Sequence, residues 1–423
     1  MAGHDADRTG ACGDLKILHV IPSVSRSEGG PSYAVFAFAR AAESAGAETV
    51  IVTTGSDESD QGDGIKCLRF SRNLEPYKIS FSLRKWLGRH VREFDLVHIH
   101  ALFSFSSWAA ARAAREQGVA YIIRPLGVLN RWGLAHRRRF LKRFWLKFIE
   151  LPILKNASAI HYTSQAERNE AGMIGDEIKK LPSFVIPIPV SGSRGANSTA
   201  GGRESGSGRT NRPREAGDSV LVETEDQRSD FLQRHPGTRG KQLVLFLARL
   251  DEKKGLDVLL RAFAEVKREH NNAVLVIAGA GQEKFVDQLR RQAQALGIAH
   301  DIIWTGFLSG DQKAGAFSSA TVYVLPSYSE NFGIAAAEAL AAGVPTILSD
   351  QVAIASDAAI ANAAIVVPPD SRAIAGAIKQ LLNNRSKCEE LSRNAKLFAQ
   401  QAFSPEGVSE QLVAEYRKIL DRS

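Results

Sequence analysis

Residues 326–345 read PSYSENFGIAAAEALAAGVP, and this stretch decides the fold. Just upstream, TVYVLPS (Thr321–Ser327) is a short β-branched and aromatic run, the composition of a buried strand. Gly333–Ala342 is rich in alanine and reads as a helix, and Pro345–Leu348 begins another strand. Strand, helix and strand in so few residues imply a parallel pair with the helix laid over it. The turn between them carries the chemistry. Asn331, Phe332 and Gly333 form a turn whose free amides open the helix, and a helix N-terminus suits a diphosphate. Glu330 stands in the loop before that turn and Glu338 inside the helix. From there Glu338 can accept both hydroxyls of a ribose, and Glu330 can reach sugar hydroxyls beyond the phosphates. Two such glutamates alone are as readily solvated surface residues; the surrounding pattern makes the site reading the stronger one.

Working outward, the second half repeats the α/β alternation. Gln242–Leu250 is a strand, Leu256–His270 a helix, and Ala273–Gly281 a strand that ends in a glycine turn containing Gly279 and Gly281. IIWTGFL (302–308) is a further strand, with Phe307 in a loop expected to face ligand. The segment ARLDEKKG puts Arg249 at a strand's end and lets Lys254-Gly255 open the next helix. Two cations there can neutralise charge building on a departing diphosphate, Arg249 as a bidentate fork and Lys254 as a point charge. Lys253 reads as a surface residue.

The first half has the same rhythm. Leu15–Pro22, Glu48–Thr54, Asp95–Ala101 and Ala120–Leu126 read as strands, with a helix over Ser106–Gln117. Gly29-Gly30 follows the first strand, and Pro31 opens a helix to Ser44. The expected division is an N-terminal Rossmann-like domain at 15–190, a flexible low-complexity insertion at 191–230, a C-terminal Rossmann-like domain at 231–400, and a C-terminal helix at 401–423 that packs back toward the first domain. The insertion rests on its Ser, Gly, Arg and Asn content, too poor in apolar residues to offset ordering entropy. Two doubly wound α/β domains facing across a cleft are the expected architecture.

These motifs resemble the retaining family-4 glycosyltransferases, whose two-domain architecture is called GT-B. The family shares an arginine, a lysine-glycine five residues on, and a glutamate pair with seven residues between; Arg249, Lys254-Gly255, Glu330 and Glu338 stand at the matching places. The resemblance implies phosphate contacts by Arg249 and Lys254, sugar contacts by Glu330 and ribose contacts by Glu338. It also places Phe307, Phe332, Gly333, Gly279 and Gly281 around the donor. IPSVSRSEGGPS resembles the family's glycine-rich loop, with Gly29 and Gly30 near the donor phosphates. DLVHIH resembles the strand whose last histidine faces the reaction centre, which favours His100 over His98, although a lone histidine is more often a core residue. IIRPLGVLNRWGL resembles a segment of polysaccharide-assembly members; Arg124 lines the acceptor side or is structural. The family's Asn-Gly turn is replaced here by VIPIPV (Val185–Val190).

The resemblance implies a retaining, metal-independent transfer of a hexose from a nucleoside-diphosphate sugar to a hydroxyl of a glycan or lipid-linked glycan, in extracellular polysaccharide or lipopolysaccharide assembly. A nucleotide-sugar 2-epimerase and a non-catalytic partner in such assembly are the alternatives. No cofactor is expected: the only Asp-x-Asp pair, Asp5-Ala6-Asp7, lies in the polar N-terminal stretch. The chain has 423 residues, a net charge of +8 and three scattered cysteines, which fits a reducing, cytoplasmic setting. Its first residues do not have the pattern of a secretory signal, and no apolar run reaches the roughly 18 residues of a membrane span. Between Arg131 and Lys147 seven cations and no acid accompany Phe140, Phe144, Trp145 and Phe148 at helical spacing. That segment is either a helix lying on an anionic membrane or an ordinary core-packed helix with a basic face. No nucleic-acid motif accompanies the charge.

Overall fold

The apolar runs fold as strands that pair in parallel throughout, as near-continuous hydrophobic segments do when both sheet faces are covered. This computed structural model describes residues 15–25, 29–55, 64–75, 78–129, 145–190 and 216–422. The chain divides into two compact units. One comprises Met1–Tyr162, Glu170–Ile186 and Val408–Ser423; the other comprises Thr163–Asn169 and Pro187–Gly407.

The first unit holds a sheet of seven strands: β1 (Lys16–Val20), β2 (Glu48–Thr54), β3 (Lys66–Phe70), β4 (Leu96–His100), β5 (Ala120–Arg124), β6 (Ala159–Tyr162) and β7 (Ser183–Val185). Their order is β3-β2-β1-β4-β5-β6-β7, so the winding reverses between β1 and β4. The helix Gly30–Ser44 starts at Gly29 (φ 70°), carries a proline in its first turn, and buries Phe36 and Phe38. The sheet is buried on both sides, with Leu18, Val97 and Ile123 in one cluster and Ile21, Phe36 and Ile51 in another.

The second unit holds six strands: β8 (Gln242–Leu247), β9 (Ala273–Ala278), β10 (Ile302–Gly306), β11 (Val322–Leu325), β12 (Thr346–Ser349) and β13 (Ala364–Val367). Their order, β10-β9-β8-β11-β12-β13, places its reversal between β8 and β11. Such a reversal opens a crevice beyond the carboxyl ends of the two strands, where ligands of doubly wound sheets bind. Residues 326–345 leave β11 at that point, and Arg249 follows β8 there.

One expectation changes. Residues 216–234 form a helix instead of continuing the insertion, and Phe231 within it is fully buried. Glu, Gln and Arg are good helix formers, and the Asp230–Arg234 pair has i,i+4 spacing. Residues 191–215 lie outside the described residues, as do the basic positions from Arg131 to Arg143. Of the expected basic helix only its end is described, a π-helical turn at Leu146–Glu150 with Phe148 exposed. The apolar run Val352–Val367 is a short helix (Ala355–Ile360) followed by β13. No helix among the described residues is long and apolar enough to cross a membrane.

Candidate active site

In the second unit two loops are stitched together at the β8/β11 reversal. Asp251 accepts a hydrogen bond from the Lys253 amide and shapes a short 3-10 turn over Glu252–Lys254. Gly255 ends it at φ 67°, and a Cβ there would stand 2.1 Å from the Pro326 carbonyl oxygen. Only glycine lets the loop after β8 lie this close to the loop after β11. The Tyr328 amide then donates to the Lys253 carbonyl at 2.7 Å. On its other side the second loop is pinned by the Glu330 amide donating to Gln351 and the Ala353 amide donating to Glu330, at 3.0 and 3.1 Å.

This stitching brings the Lys254 ammonium into direct contact with the Glu330 carboxylate, the two side chains being 15% and 17% exposed. Burial, then the Arg249 guanidinium, push the Lys254 ammonium down to about 8, while Asp251 opposes the shift. The carboxylate of Glu330 acts in the same sense as Asp251, so Lys254 is a cation at neutral pH. Arg249 is exposed. Its loop rests on two glycines: a Cβ at Gly279 would stand 1.9 Å from the Ala248 carbonyl oxygen, and one at Gly281 2.3 Å from that of Leu250. Both glycines thereby fix the backbone on either side of Arg249. The Gly279 amide donates to Gly306 at 2.8 Å, next to the exposed Phe307.

The helix Ile334–Ala341 starts from Gly333, which is left-handed at φ 86°. A Cβ on Gly333 would meet the Glu330 side chain at 3.4 Å, so the helix start and Glu330 are neighbours. Within that helix Glu338 accepts a hydrogen bond from Lys313 at 2.6 Å. The Tyr323 hydroxyl, donating to Leu247 at 3.2 Å, is held well above its ordinary range by burial and then by the Glu338 charge.

In the first unit β1 and β4 sit in register with His19 opposite His98. Alternation puts His98 and His100 on one face, and both are fully buried, as are His19, His161 and Arg124. Burial, with the Arg124 charge, lowers His19 to about 3, and burial alone is the main cause that takes His161 there. The rings of His98 and His100 are likewise held neutral, chiefly by burial. Neutrality fixes the tautomers. The Ile186 carbonyl can only accept, so His161 Nε2 donates to it at 2.8 Å and His161 Nδ1 accepts from His98 Nε2 at 3.2 Å. His98 Nδ1 then accepts from the Tyr416 hydroxyl at 2.8 Å. His19 and His100 form a second pair at 2.9 Å. The Arg124 guanidinium lies over the Phe38 ring, 4.9 Å from its centroid.

His19, His98 and His100 bring ligand atoms within 4.8 Å of one another, a spacing a transition metal can use. Both His98 nitrogens are already engaged, and Arg124 opposes a dication, so a hydrogen-bonded relay accounts for the cluster better. Just beyond β4 the turn is strained, with φ 139° at Ala101 and 57° at Phe103. Its Phe103 amide donates to Glu150 at 3.0 Å, and burial pushes that carboxyl up to about 7.

Residues 29–187 match the family described as glycosyl transferase 4-like domain, and residues 228–398 that described as glycosyl transferases group 1. Between them the two matches take in most of both units. The chain belongs to the family-4 glycosyltransferases. Among curated relatives, an uncharacterized glycosyltransferase of Methanocaldococcus jannaschii is 33% identical over 43% of this chain and 46% of its own. A phosphatidyl-myo-inositol mannosyltransferase of Mycobacterium leprae is 40% identical over 33% of this chain and 37% of its own. The chain thus spans about half or less of these relatives. Among solved structures, Anabaena HepE with UDP-glucose aligns at a TM-score of 0.74, 16% identity, over 96% of this chain and all of that one. Sucrose-phosphate synthase from Thermosynechococcus elongatus aligns at 0.72, 20% identity, over 97% and 100%. At these identities the likeness is one of fold, and the fold is GT-B.

For this glycosyltransferase the structure gathers Arg249, Lys254, Glu330, Gly333, Gly279, Gly281 and Phe307 at the end of one sheet. Three expected residues do not join an open site. Phe332 is 2% exposed and packs edge-on against Phe403, so its side chain anchors the turn in the core. His100 and Arg124 are sealed in the first unit's interior. The parallel sheet is covered on both faces, so a histidine pair on one face has no exposed side to turn toward. Gly29 is partly exposed and Gly30 exposed, at the start of their helix. Lys313, His19, His161 and Glu150 were not anticipated. Only for His19 is there a sequence signal, its place in the run LKILHVIP, where a polar residue interrupts a buried strand.

Proposed function

We propose that the chain is a retaining, metal-independent transferase whose second unit binds a nucleoside-diphosphate sugar. The observation that carries this is the Lys254–Glu330 contact beside exposed Arg249, at the β8/β11 reversal and next to the helix start at Gly333. Two cations and a set of free amides converge where a diphosphate would lie, and one carboxylate stands ready for sugar hydroxyls. In the unliganded pair Glu330 neutralises Lys254. An incoming diphosphate draws the ammonium to itself, which releases Glu330 to accept hydroxyls of the sugar. Binding of phosphate and orientation of sugar are then one event.

As the bond to the anomeric carbon breaks, Arg249, Lys254 and the amides hold the charge growing on the leaving diphosphate. The acceptor hydroxyl attacks the anomeric carbon from the face the diphosphate leaves, its proton passing to the departing phosphate oxygen, and configuration is retained. The cations supply the charge stabilisation that a divalent ion supplies elsewhere. Acceptors are proposed to be hydroxyls of glycans or lipid-linked glycans, in line with the mannosyltransferase name of one relative, and the setting to be cytoplasmic polysaccharide assembly.

The test is a binding panel of UDP, GDP, ADP and their glucose and mannose conjugates, with EDTA present, against wild type and Lys254→Ala. EDTA-insensitive binding of one diphosphate, lost in the variant, is expected. No binding at millimolar ligand overturns the proposal.

A further inference from the structure

Lys313 lies 25 residues before Glu338 in sequence, yet its Nζ donates to Glu338 Oε1 at 2.6 Å, with the side chains 28% and 12% exposed. We infer that Lys313 is a positioning residue for the nucleotide: it clamps one oxygen of Glu338 so that the other is presented to the ribose hydroxyls. This rests on the donor-site reading of the second unit. Two features support it.

The clamp is itself held in place. Lys313 belongs to the helix Gly310–Ser319, which begins just after Phe307 and is fixed on both sides of Lys313 by the helix Ala216–Arg234. Asp311 accepts a hydrogen bond from Gln227 at 3.0 Å, and Gln312 contacts Asp230. A Cβ on Gly315 would stand 2.3 Å from the Gln227 carbonyl oxygen, so the two helices touch at backbone distance. The lysine is thereby anchored at its root, with its ammonium on Glu338.

With both side chains only partly exposed, the attraction between the charges is largely offset by the cost of taking them out of water, so stability alone gives little reason for the pair. What it does add is orientation. A free glutamate on the first turns of a helix samples several rotamers, and the ordering cost falls on the ligand. With one oxygen committed to Lys313, that cost is met before the nucleotide arrives.

The consequence is a donor of the ribonucleoside class. A carboxylate held to receive hydroxyls loses a bond when the ribose lacks one, and a buried acceptor left unmet is costly. The measurement is calorimetric titration of wild type, Lys313→Met and Lys313→Arg with UDP, GDP and ADP and with their 2′-deoxy counterparts. Wild type should prefer the ribo form of whichever diphosphate binds. Lys313→Met should lose about tenfold in affinity for that ribo form and little for the deoxy form, so the preference collapses. Lys313→Arg, which keeps the charge and the donor, should restore most of it. Equal losses for both forms would show a general electrostatic effect and overturn the inference, as would unchanged affinity. If wild type binds none of the three diphosphates, the donor-site reading falls and this inference with it. Matching thermal midpoints of the three proteins confirm that folding is not what is being read, and a Lys313→Met chain that does not fold leaves Lys313→Arg and the wild-type ribo preference to decide: no preference in wild type also overturns it.

Discussion

The Tyr416 hydroxyl donates to His98 Nδ1 at 2.8 Å, tying a helix near the chain's end to a central strand 318 residues away. That bond closes a relay of neutral imidazoles in an interior that offers them no acid among the groups shifting their titration. The helix Pro405–Leu420 is therefore held to the sheet partly by groups that function as acceptors only while uncharged.

The first prediction concerns pH and stability. His19, His98, His100 and His161 all have folded values far below the 6.5 of a free imidazole, chiefly through burial. The unfolded chain takes up protons as pH falls through 6.5, and the folded chain does not. The contribution is therefore complete above 6.5 and is lost as pH drops toward about 3, the folded value of His19 and His161. Each ring costs roughly 1.4 kcal/mol per pH unit within that window. Urea midpoints at pH 7.5, 6.0 and 5.0 should fall steeply, more steeply than in a His161→Gln chain. A flat profile would mean that the rings are charged in the folded state.

The second isolates the relay's end. Tyr416→Phe keeps the ring packed but removes the hydroxyl that donates to His98 Nδ1, leaving a buried acceptor unmet. The expected cost is about 1–3 kcal/mol in denaturant unfolding. Nucleotide affinity, measured by titration with UDP and GDP, should not change. A Tyr416→Phe chain as stable as wild type would show that the relay is not a tie.

Much of the architecture was readable from residue order because parallel strands announce themselves as apolar runs, and the two reversals fall where glycine loops follow a strand. Lys254 and Glu330 were readable as spacing, since each sits one short turn beyond its strand. Phe332 misled because a turn aromatic looks alike whether it faces ligand or core; its partner Phe403 is far along the chain and invisible to local pattern. Alternation placed His98 and His100 on one face but could not say that Phe38, His161 and Tyr416 seal it. Lys313 left no trace in sequence: nothing local distinguishes it from a surface lysine, and only the packing of its helix at Gly315 brings it to Glu338.

The third prediction follows from Lys254. Its ammonium is pushed down to about 8 by burial and by Arg249, so it loses its proton as pH rises through that value. Diphosphate affinity should therefore be sustained at neutral pH and decline above about 8. Glu330→Gln removes a neighbouring charge that favours the ammonium, and should move the decline to lower pH. Lys254→Met should lower turnover about 100- to 1,000-fold, the usual cost of losing one group that stabilises a leaving anion. Titrations with UDP and GDP from pH 6.5 to 9.5 read the first two effects. A limb that does not move in Glu330→Gln would show that the two side chains are uncoupled in solution.

The last prediction separates geometry from charge. Gly279→Ala introduces no charge and removes none, yet its Cβ would stand 1.9 Å from the Ala248 carbonyl oxygen at a φ of 152°. The loop after β9 has to move, and the backbone carrying Arg249 moves with it. Gly255→Ala does the same on the other side, 2.1 Å from the Pro326 carbonyl oxygen, where it disturbs Lys254. Each should cost about 1–3 kcal/mol of stability from strain alone. Each should also weaken diphosphate binding at a temperature where the variant is still folded. Gly297→Ala is the control: it shares a positive φ of 71°, but its Cβ meets nothing within 4 Å. It should lose some stability and no affinity. If Gly279→Ala and Gly297→Ala behave alike in binding, the close approach of the two loops does not position Arg249, and the cations act by charge without being held in register.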